Sequence, residues 1–456
     1  MAARSPGAAE APLSGWGRYP VATCRAYRPE ARRDAAALLV SAPETSLIPR
    51  GLGRSYGDAS LNAGAGVVLS DRLDRLLAFD EGQGILECEG GASLATIIAT
   101  FLPRGYFLPV TPGTRHVTVG GAIAADVHGK NHHRVGTFSR FVHGFTLASG
   151  DGRILSCSPE ENPKAFWATV GGAGLTGFIL TARLKLQKVE TAWVLADFKR
   201  AGDLAEAMGL LTETDPLYEY SVAWIDCLAP AKARGRSILM QANAARVADL
   251  RRGMPPLPLP SPERFAVPAA MPSFALNSFS VSLFNALYFR LHGTGEKSLV
   301  DYGKYFYPLD AIRSWNRLYG HSGFVQYQVA FPLASSAKGL SALLDRFAGA
   351  GFGSFLGVLK RFGEAGPAPL SFPFPGYTLA LDLPVRPGLA QFLREADRLL
   401  LDYGGRIYVA KDATAQAESF ARMYPRLPEF RACRAELDPK GRLSSSLGRR
   451  LGIVPS

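Results

Sequence analysis

The chain has 456 residues, of which 47% are apolar, so it is long enough to bury a sizeable core and to divide into two or three domains. Its formal net charge of +12 favours anionic partners, but the basic residues form no long run, and nucleic-acid binding is therefore not predicted. Five widely spaced cysteines form no CxxC pair and predict neither a disulfide framework nor a metal site.

No targeting or membrane-spanning segment is predicted. Glu10 and several Pro and Gly residues stand where a signal peptide would have its apolar region. The longest uncharged run, between Arg264 and Arg290, is interrupted by Pro268 and Pro272 and would make a poor transmembrane helix. We expect a protein of the cytoplasm, or one peripheral to the inner membrane.

The first 190 residues predict one α+β unit. Residues 1–20 have no regular pattern and are expected to form an irregular lead-in. The predicted elements that follow are a helix over 29–39, a strand over 46–49, a meander with strands at 67–69, 76–79 and 85–88, a helix over 92–101, a hairpin over 144–157, a helix over 163–169 and a strand over 178–186.

The first of three glycine-rich loops in this unit is RGLGRSYGDASLN, at 50–62. It lacks the GKS or GKT of a P-loop, and no helix-forming run follows it as in a dinucleotide-binding βαβ unit. Successive backbone N–H groups in such a turn, beside the charge of Arg54, form an anion-binding concavity. We therefore favour a phosphate cradle over a purely structural turn.

The second loop, PGTRHVTVGGAIAADVHGKNHH at 112–133, combines glycines with His128 and Lys130, and the third is GGAGLTGFI at 171–179. Glycines let a backbone approach a flat or anionic ligand closely. Imidazoles and an ammonium beside such a surface suit a redox or proton-transfer site. A glycine-rich turn with surface histidines is the alternative interpretation.

From residue 192 onward, the pattern predicts a second α+β domain on a mostly antiparallel sheet. A Pro-rich segment at 253–265 leads into an apolar stretch over 274–289, which we interpret either as a core helix or as an apolar flap that receives a lipid chain. The predicted strands and helices are at 193–198, 203–211 (helix), 219–225, 238–243, 324–332, 341–348 (helix), 353–360, 377–383 and 389–402 (helix).

Together, these loops resemble the vanillyl-alcohol-oxidase-type FAD oxidoreductases, and among them the decaprenylphosphoryl-ribose 2-oxidase family, the flavin subunits of an epimerase. The resemblance implies an α+β fold with a two-subdomain FAD-binding domain, at 1–190 and 405–456, and an inserted substrate domain on an antiparallel sheet, at 191–404. The motifs that carry it, in the family's order, are RGLGRSYGD, PGTRHVTVGGAIAADVHGKNHH, FWATVGGAGLTG, FVQYQ, PLSFPFPG, YVAKD and LDPKGRLSSSLGRRL.

The implied cofactor is FAD, with glycine amides around its pyrophosphate and small residues beside its isoalloxazine ring. Some relatives tether the flavin through a His in the first loop or a Cys in the second. Here Arg54, Ser55 and Tyr56 fill the first loop and no Cys lies near 114–119, so we expect non-covalent FAD. The implied contacts are Pro49, Arg50, Gly51, Leu52, Gly53, Arg54, Ser55, Tyr56, Gly57, Asp58, Ala59, Gly113, Thr118, Val119, Gly120, Gly121, Ala125, Asp126, Val127, His128, Ile179 and Tyr408.

The implied reaction is oxidation of the C2 hydroxyl of a polyprenyl-phosphoryl ribose, the first half of an epimerisation. A separate NAD(P)H-dependent short-chain reductase would complete it, and contact with a membrane surface fits the lipid substrate. The hydroxyl proton needs an acceptor, and the resemblance offers Lys411, Tyr56 and His128 without deciding between them. The implied substrate contacts are Gln326, Gln328, Lys360 and Lys411, of which Lys360 suits the phosphate as a point charge.

Two positions depart from the family pattern. Ala380 stands where mycobacterial relatives have a cysteine near the flavin, and Phe306 stands where relatives have a tyrosine. The lost hydroxyl at Phe306 leaves the substrate open. An alditol or aldonolactone oxidase of the same superfamily is one alternative, and a non-catalytic flavin-binding partner protein is another.

Overall fold

The computed structural model describes residues 7–258, 265–271, 278–292, 295, 297–354 and 356–455. The first 190 residues form small sheets connected by short helices. In chain order, the elements are β1 (Ala9–Ser14), β2 (Val21–Tyr27), α1 (Arg32–Ser41), β3 (Leu47–Arg50), β4 (Gly66–Leu69), β5 (Leu76–Asp80), β6 (Ile85–Glu89), α2 (Leu94–Phe101), β7 (Tyr106–Phe107), α3 (Val119–Ala124), α4 (His132–Val135), β8 (Val142–Ala148), β9 (Ile154–Cys157), α5 (Pro163–Thr169), β10 (Phe178–Lys185) and β11 (Gln187–Lys188).

These strands form two main sheets within the described residues. One has four strands in the order β1-β2-β4-β3, and the other has five in the order β5-β6-β10-β8-β9. The helix α5 and the β8–β9 hairpin lie where the sequence predicted them. Most other predicted elements of this part differ only at their ends.

Two predictions for this part were wrong. The supposed lead-in contains β1, which pairs with β2. The strand at 67–69 does not belong to a meander, because β4 runs parallel to β2 and β3, while β5 pairs with β6 in the other sheet. Val67 and Val68 are both fully buried, as is typical of a strand covered on both faces, and this distinguishes β4 from an antiparallel meander strand.

The later part of the chain forms an antiparallel sheet of eight strands within the described residues, in the order β16-β12-β14-β13-β19-β20-β18-β21. The antiparallel prediction is confirmed, and the domain boundaries stay predictions. The elements are β12 (Trp193–Ala201), α6 (Leu204–Thr214), β13 (Tyr220–Ile225), β14 (Ser237–Ala244), β15 (Phe265–Ala266), α7 (Ser278–Leu291), β16 (Ser298–Asp301), α8 (Tyr302–Phe306), β17 (Ile312–Arg313), β18 (Phe324–Pro332), α9 (Ser336–Gly349), β19 (Gly357–Phe362), β20 (Gly376–Pro384), α10 (Leu389–Asp402), β21 (Arg406–Ile407), α11 (Ala417–Met423), α12 (Leu427–Leu437) and α13 (Ser446–Arg450).

The two faces of this large sheet have different chemistry, because side chains alternate along each strand. In β18, Tyr327 and Val329 join the apolar core formed with α9 and α10. Gln326 and Gln328, at the intervening positions, lie on the opposite face. The sheet thus presents a polar face away from its helices, and this face forms one wall of the candidate site.

Helix α7 contains the described part of the apolar stretch predicted over 274–289; residues 272–277 lie outside the described residues. The core-helix interpretation was wrong for one face of this helix, where side chains at four-residue spacing are exposed. Their exposed fractions are 78% for Phe279, 61% for Leu283, 55% for Leu287 and 71% for Leu291. Among the described residues, no helix has both the length and the apolarity needed to cross a bilayer.

Arg450 at the end of α13 connects two loops that are far apart in sequence. Its Nε and Nη2 atoms donate to the two carboxylate oxygens of Asp58, at 3.0 and 2.6 Å, and Nη1 donates to Asp412 Oδ2 at 2.7 Å. Both carboxylates are buried. The charged hydrogen bonds raise the pKa of Arg450 above its ordinary value, so the guanidinium remains the cation between them.

We predict that Arg450→Leu lowers the free energy of unfolding by about 3–5 kcal/mol, because it leaves two buried carboxylates without their cation. Urea unfolding followed by tryptophan fluorescence measures this. The matched control is Arg72→Leu, which removes an exposed pair with Glu30 and should cost less than about 1 kcal/mol. Equal losses of unfolding free energy in the two variants would show that the Arg450 contact stabilises the fold no more than an exposed ion pair does.

Candidate active site

A cavity of about 590 Å³ lies between the glycine-rich loops and the polar face of the large sheet. It brings together all the predicted catalytic and substrate residues and most of the predicted cofactor residues. Those that line it are Pro49, Arg50, Gly51, Leu52, Gly53, Arg54, Ser55, Tyr56, Ala59, Gly113, Thr118, Gly120, Gly121, Ala125, Val127, His128, Ile179, Gln326, Gln328, Lys360, Tyr408 and Lys411.

The loop after β3 presents backbone donors to this cavity. Among the described residues, the N–H groups of Leu52, Gly53 and Ser55 have no hydrogen-bond acceptor. Gly53 has φ +64°, in the left-handed region that favours glycine. A Cβ at Gly51 would lie 2.3 Å from Thr118 Oγ1, so a glycine here lets the first loop pack against the start of α3. Converging free amides form a cradle for an anionic group.

The same loop is joined to the segment after β21, and this positions Tyr56 beside Lys411. The Tyr56 N–H donates to Ala410 O at 3.0 Å. A Cβ at Gly57 would lie 2.0 Å from Asp412 O, so this close approach requires glycine. As a result, Lys411 Nζ lies 3.8 Å from the centroid of the Tyr56 ring.

His128 has a defined tautomer. Gln328 Nε2 lies 3.1 Å from His128 Nε2 and 3.3 Å from Thr378 Oγ1. Thr378 donates its own proton to Val329 O, so its oxygen accepts from the Gln328 amide NH₂. His128 Nε2 is then also an acceptor, and the proton is on Nδ1, which has no partner among the described residues. Burial lowers the pKa of His128 well below its ordinary value, so the ring is neutral.

Two partly buried lysines give this site its charge. Lys360 on β19 lines the cavity, and burial lowers its pKa to about 8. Burial also lowers the pKa of Lys411. Tyr56 is affected in the opposite direction, since burial and the charge of Asp382 raise its pKa well above the ordinary value. Near neutral pH, the phenol is protonated while the amines can exchange protons.

Four predicted cofactor residues lie outside the cavity lining and have other contacts. Gly57 packs on Asp412 O, and Asp58 binds Arg450. Val119 is buried in an apolar cluster, and Asp126 accepts a hydrogen bond from Ser371 at 2.5 Å. Through these contacts, the four residues support the conformation of the loops without lining the cavity.

The cavity also has lining residues that the sequence analysis did not assign. Several come from the third glycine-rich loop. The sequence predicted this loop, but only Ile179 of it was expected to contact the cofactor, so its glycine-rich pattern was the signal that could have identified the others. Others come from segments without a motif, and only the folded chain brings them here. The unassigned residues include Trp16, Ser70, Gly90, Ala124, Gly171, Ala173, Gly174 and Trp315.

The two departures from the family pattern have different positions. Ala380 lines the cavity opposite Gln328, so no thiol is present at that point. Phe306 is buried in an apolar cluster and packs on Phe107 and Tyr220. A hydroxyl at Phe306 would therefore lie behind the cavity wall.

These features fit FAD. The free amides of the first loop suit a pyrophosphate, and the small side chains of Ala59, Ala124 and Ala173 leave room for a flat ring. None of the five cysteines, all in the described part of the chain, lines the cavity. The fold and the cavity are thus compatible with a flavin held between loops and sheet.

Comparison with known families identifies two matching regions. Residues 25–158 match the FAD binding domain family, and these residues include the first two glycine-rich loops. Residues 379–451 match the D-arabinono-1,4-lactone oxidase family, and these include Lys411. Both regions contribute to the same cavity.

Individual relatives extend this similarity. The chain is 36% identical over 449 residues to decaprenylphosphoryl-beta-D-ribose oxidase of Mycolicibacterium smegmatis, covering 97% of each chain. It is 37% identical over 362 residues to an uncharacterized protein in the mprA 5′ region of Streptomyces coelicolor, covering 77% of this chain and 97% of that one. Human delta(24)-sterol reductase is 28% identical over 111 residues, covering 24% of this chain and 22% of the reductase. The chain is an FAD-dependent oxidoreductase of the vanillyl-alcohol-oxidase type and belongs to the decaprenylphosphoryl-beta-D-ribose oxidase family.

Proposed function

We propose that this enzyme oxidises the C2 hydroxyl of a polyprenyl-phosphoryl ribose to the 2-keto sugar, as the first half of an epimerisation. The observation that carries the proposal is that Lys411, Tyr56, His128 and Lys360 line a single cavity that fits FAD. The substrate in the name of the 36%-identical relative supports the same sugar. A separate NAD(P)H-dependent short-chain reductase would complete the epimerisation by reducing the ketone.

Oxidation of a secondary alcohol removes a hydride from carbon and a proton from oxygen. Bound FAD supplies the hydride acceptor, so the chain's own residues must handle the proton. Burial lowers the pKa of Lys411, and its neutral amine accepts a proton near neutral pH. Burial raises the pKa of Tyr56, so its phenol cannot take that role. We propose Lys411 Nζ as the acceptor.

His128 suits a different role in this scheme. Its Nε2 is occupied by Gln328, and its Nδ1–H has no partner among the described residues. A neutral imidazole in this tautomer donates a hydrogen bond and does not accept a proton at Nδ1. We propose that His128 Nδ1 donates to a carbonyl or alkoxide oxygen in the cavity.

The phosphate of the proposed substrate matches Lys360. This lysine lines the cavity wall on β19, and its Nζ has no ion-pair partner among the described residues. A cation that is partly removed from water without an anion is costly, so a phosphodiester would supply the missing charge. Lys360 thereby favours a phosphorylated sugar over a neutral polyol.

The lipid part of the substrate matches the exposed face of α7. Leu283, Leu287 and Leu291 lie on this face, and each exposes more than half of its surface. Exposed apolar faces of this kind contact lipid or protein partners. We propose that α7 contacts the polyprenyl chain or the membrane that carries it, with the net charge of +12 favouring an anionic surface.

A second candidate is an alditol or aldonolactone oxidase. The match of residues 379–451 to the D-arabinono-1,4-lactone oxidase family favours it. The deciding experiment is anaerobic addition of polyprenyl-phosphoryl ribose, alditols or aldonolactones to the FAD-loaded protein. Bleaching of the flavin by the lipid-linked sugar alone supports the main proposal, and bleaching by soluble polyols alone overturns it. Bleaching by none of them would favour a non-catalytic flavoprotein.

We predict that Lys411→Met slows anaerobic flavin reduction by about 100-fold or more, because the hydroxyl proton then lacks an acceptor in the site. Stopped-flow absorbance of the FAD-loaded variant measures the rate. Lys338→Met removes an exposed lysine on α9 and should leave the rate unchanged. A Lys411→Met rate within threefold (about 0.7 kcal/mol) of wild type would exclude Lys411 as the acceptor.

We predict that the KM for the phosphorylated substrate rises as pH increases through about 8, because Lys360 loses its charge there. The sign follows from burial, which lowers the lysine pKa, so the charged form exists below this value and disappears above it. Steady-state kinetics over roughly three pH units, from about 6.5 to about 9.5, test this prediction. Lys360→Arg stays charged and should remove the rise, whereas a rise retained in this variant would assign it to another group.

We predict that acid precipitation releases all FAD into the supernatant, because the first loop has Arg54, Ser55 and Tyr56 where a histidine tether would stand. Absorbance of the supernatant and flavin fluorescence of the denatured protein on a gel measure the two fractions. Flavin that stays with the polypeptide would contradict non-covalent binding.

A further inference from the structure

Asp382 is a buried acid beside Gln326 on the polar face of the large sheet, and it does not itself line the cavity. It lies on β20 directly opposite Gln326 of β18, and its exposed fraction is 1%. Gln326 Nε2 donates to Asp382 Oδ1 at 2.5 Å, and the Tyr319 hydroxyl donates to Oδ2 at 3.4 Å. In the part of the chain that the structure describes, no Lys, Arg or His nitrogen forms an ion pair with this carboxylate. Both donors are therefore neutral, which is unusual for a buried carboxylate.

Lys411 is the cation whose charge acts on Asp382. Burial raises the pKa of Asp382, while the Gln326 hydrogen bond, the positive charge of Lys411 and the Tyr319 hydroxyl lower it. Burial lowers the pKa of Lys411, the negative charge of Asp382 raises it, and the positive charge of Lys360 lowers it further. The polar and charged groups that face this pair from the surrounding elements are Tyr56, His128, Tyr319, Gln326 and Lys360.

We propose that Asp382 is a positioning residue for the oxidation: its carboxylate orients the Gln326 amide and supplies the negative charge against which Lys411 holds its proton. The inference rests on the proposed function only for the role of Lys411. In the form with Asp382 ionised, the proton moves from the sugar hydroxyl to Lys411 Nζ. The positive charge that forms on Lys411 is then opposed by the negative charge of a carboxylate that is buried.

The hydrogen bond to Gln326 has a second consequence. Because the Gln326 NH₂ group points to Asp382, its carbonyl oxygen remains available to accept from a hydroxyl in the cavity. Gln326 itself lines the cavity, so Asp382 determines which end of the amide a sugar meets. Without an acceptor at Asp382, the amide could rotate and present its NH₂ group instead.

A second buried carboxylate, which contacts the other face of the sheet, distinguishes this role from the effect of burial alone. Asp397 on α10 is equally buried and accepts from the Tyr327 hydroxyl at 2.9 Å, on the opposite face of β18. The charges that act on Asp397 are those of Asp412, Arg450 and Arg394, and Lys411 is not among them. Asp397→Asn is therefore a matched control for the loss of a buried carboxylate.

The test is NMR titration of the FAD-loaded protein with ¹³C-labelled lysine, in which Lys411→Arg assigns the Lys411 signal. Asp382→Asn keeps an acceptor for Gln326 but removes the charge, and should lower the Lys411 titration midpoint by about one pH unit or more. Asp382→Glu should return the midpoint towards the wild-type value, and Asp397→Asn should leave it unchanged. The rate of flavin reduction by the lipid-linked sugar should depend on pH through the protonation of Lys411. In Asp382→Asn, this pH dependence should move to lower pH.

An unchanged midpoint in FAD-loaded Asp382→Asn would overturn the proposal. If that variant does not fold, the wild-type titration decides. The Lys411 signal should show two steps, because protonation of Asp382 at lower pH perturbs it, and a single step would contradict the coupling. The titration needs no substrate, so it gives its answer even if the sugar has been assigned wrongly.

Discussion

The contact of Arg450 with Asp58 and Asp412 is the interaction on which the rest of the site depends. Asp58 belongs to the first glycine-rich loop, Asp412 follows Lys411, and Arg450 lies at the end of the last helix. One partly buried guanidinium thus determines the separation of the first glycine-rich loop and the segment that carries Lys411. Gly57 makes the same separation possible from the other side, because only a glycine can approach Asp412 O this closely.

With the loops fixed, desolvation sets the chemistry of the site. Burial shifts Lys411 and Lys360 towards their neutral forms and keeps Tyr56 protonated. Desolvation therefore gives the three side chains different properties. The Lys411 amine can accept a proton, the charge of Lys360 depends on pH, and the Tyr56 phenol can only donate. The neutral donors around Asp382 leave its charge available to Lys411.

The polar face of the large sheet explains how one domain can provide so much of the site. Gln326, Gln328 and Lys360 all lie on this face because strand side chains alternate, while the opposite face packs on helices. Family membership is shown by 36% identity across 97% of the chain. Ala380 lines the cavity wall, and Phe306 packs in an apolar cluster outside the lining.

The sequence by itself determined the three glycine-rich loops and the antiparallel second sheet, because glycine spacing and strand periodicity are local signals. Most of the cavity residues were implied by the resemblance to the flavin oxidoreductases, and the cavity also contains residues that no motif indicated. Only the tertiary structure decided that β4 pairs in parallel, that α7 exposes an apolar face, and that Asp58 binds Arg450 and does not line the cavity. The same holds for the placement of Asp382 near Lys411. These features depend on contacts between residues far apart in the chain, which no local pattern contains.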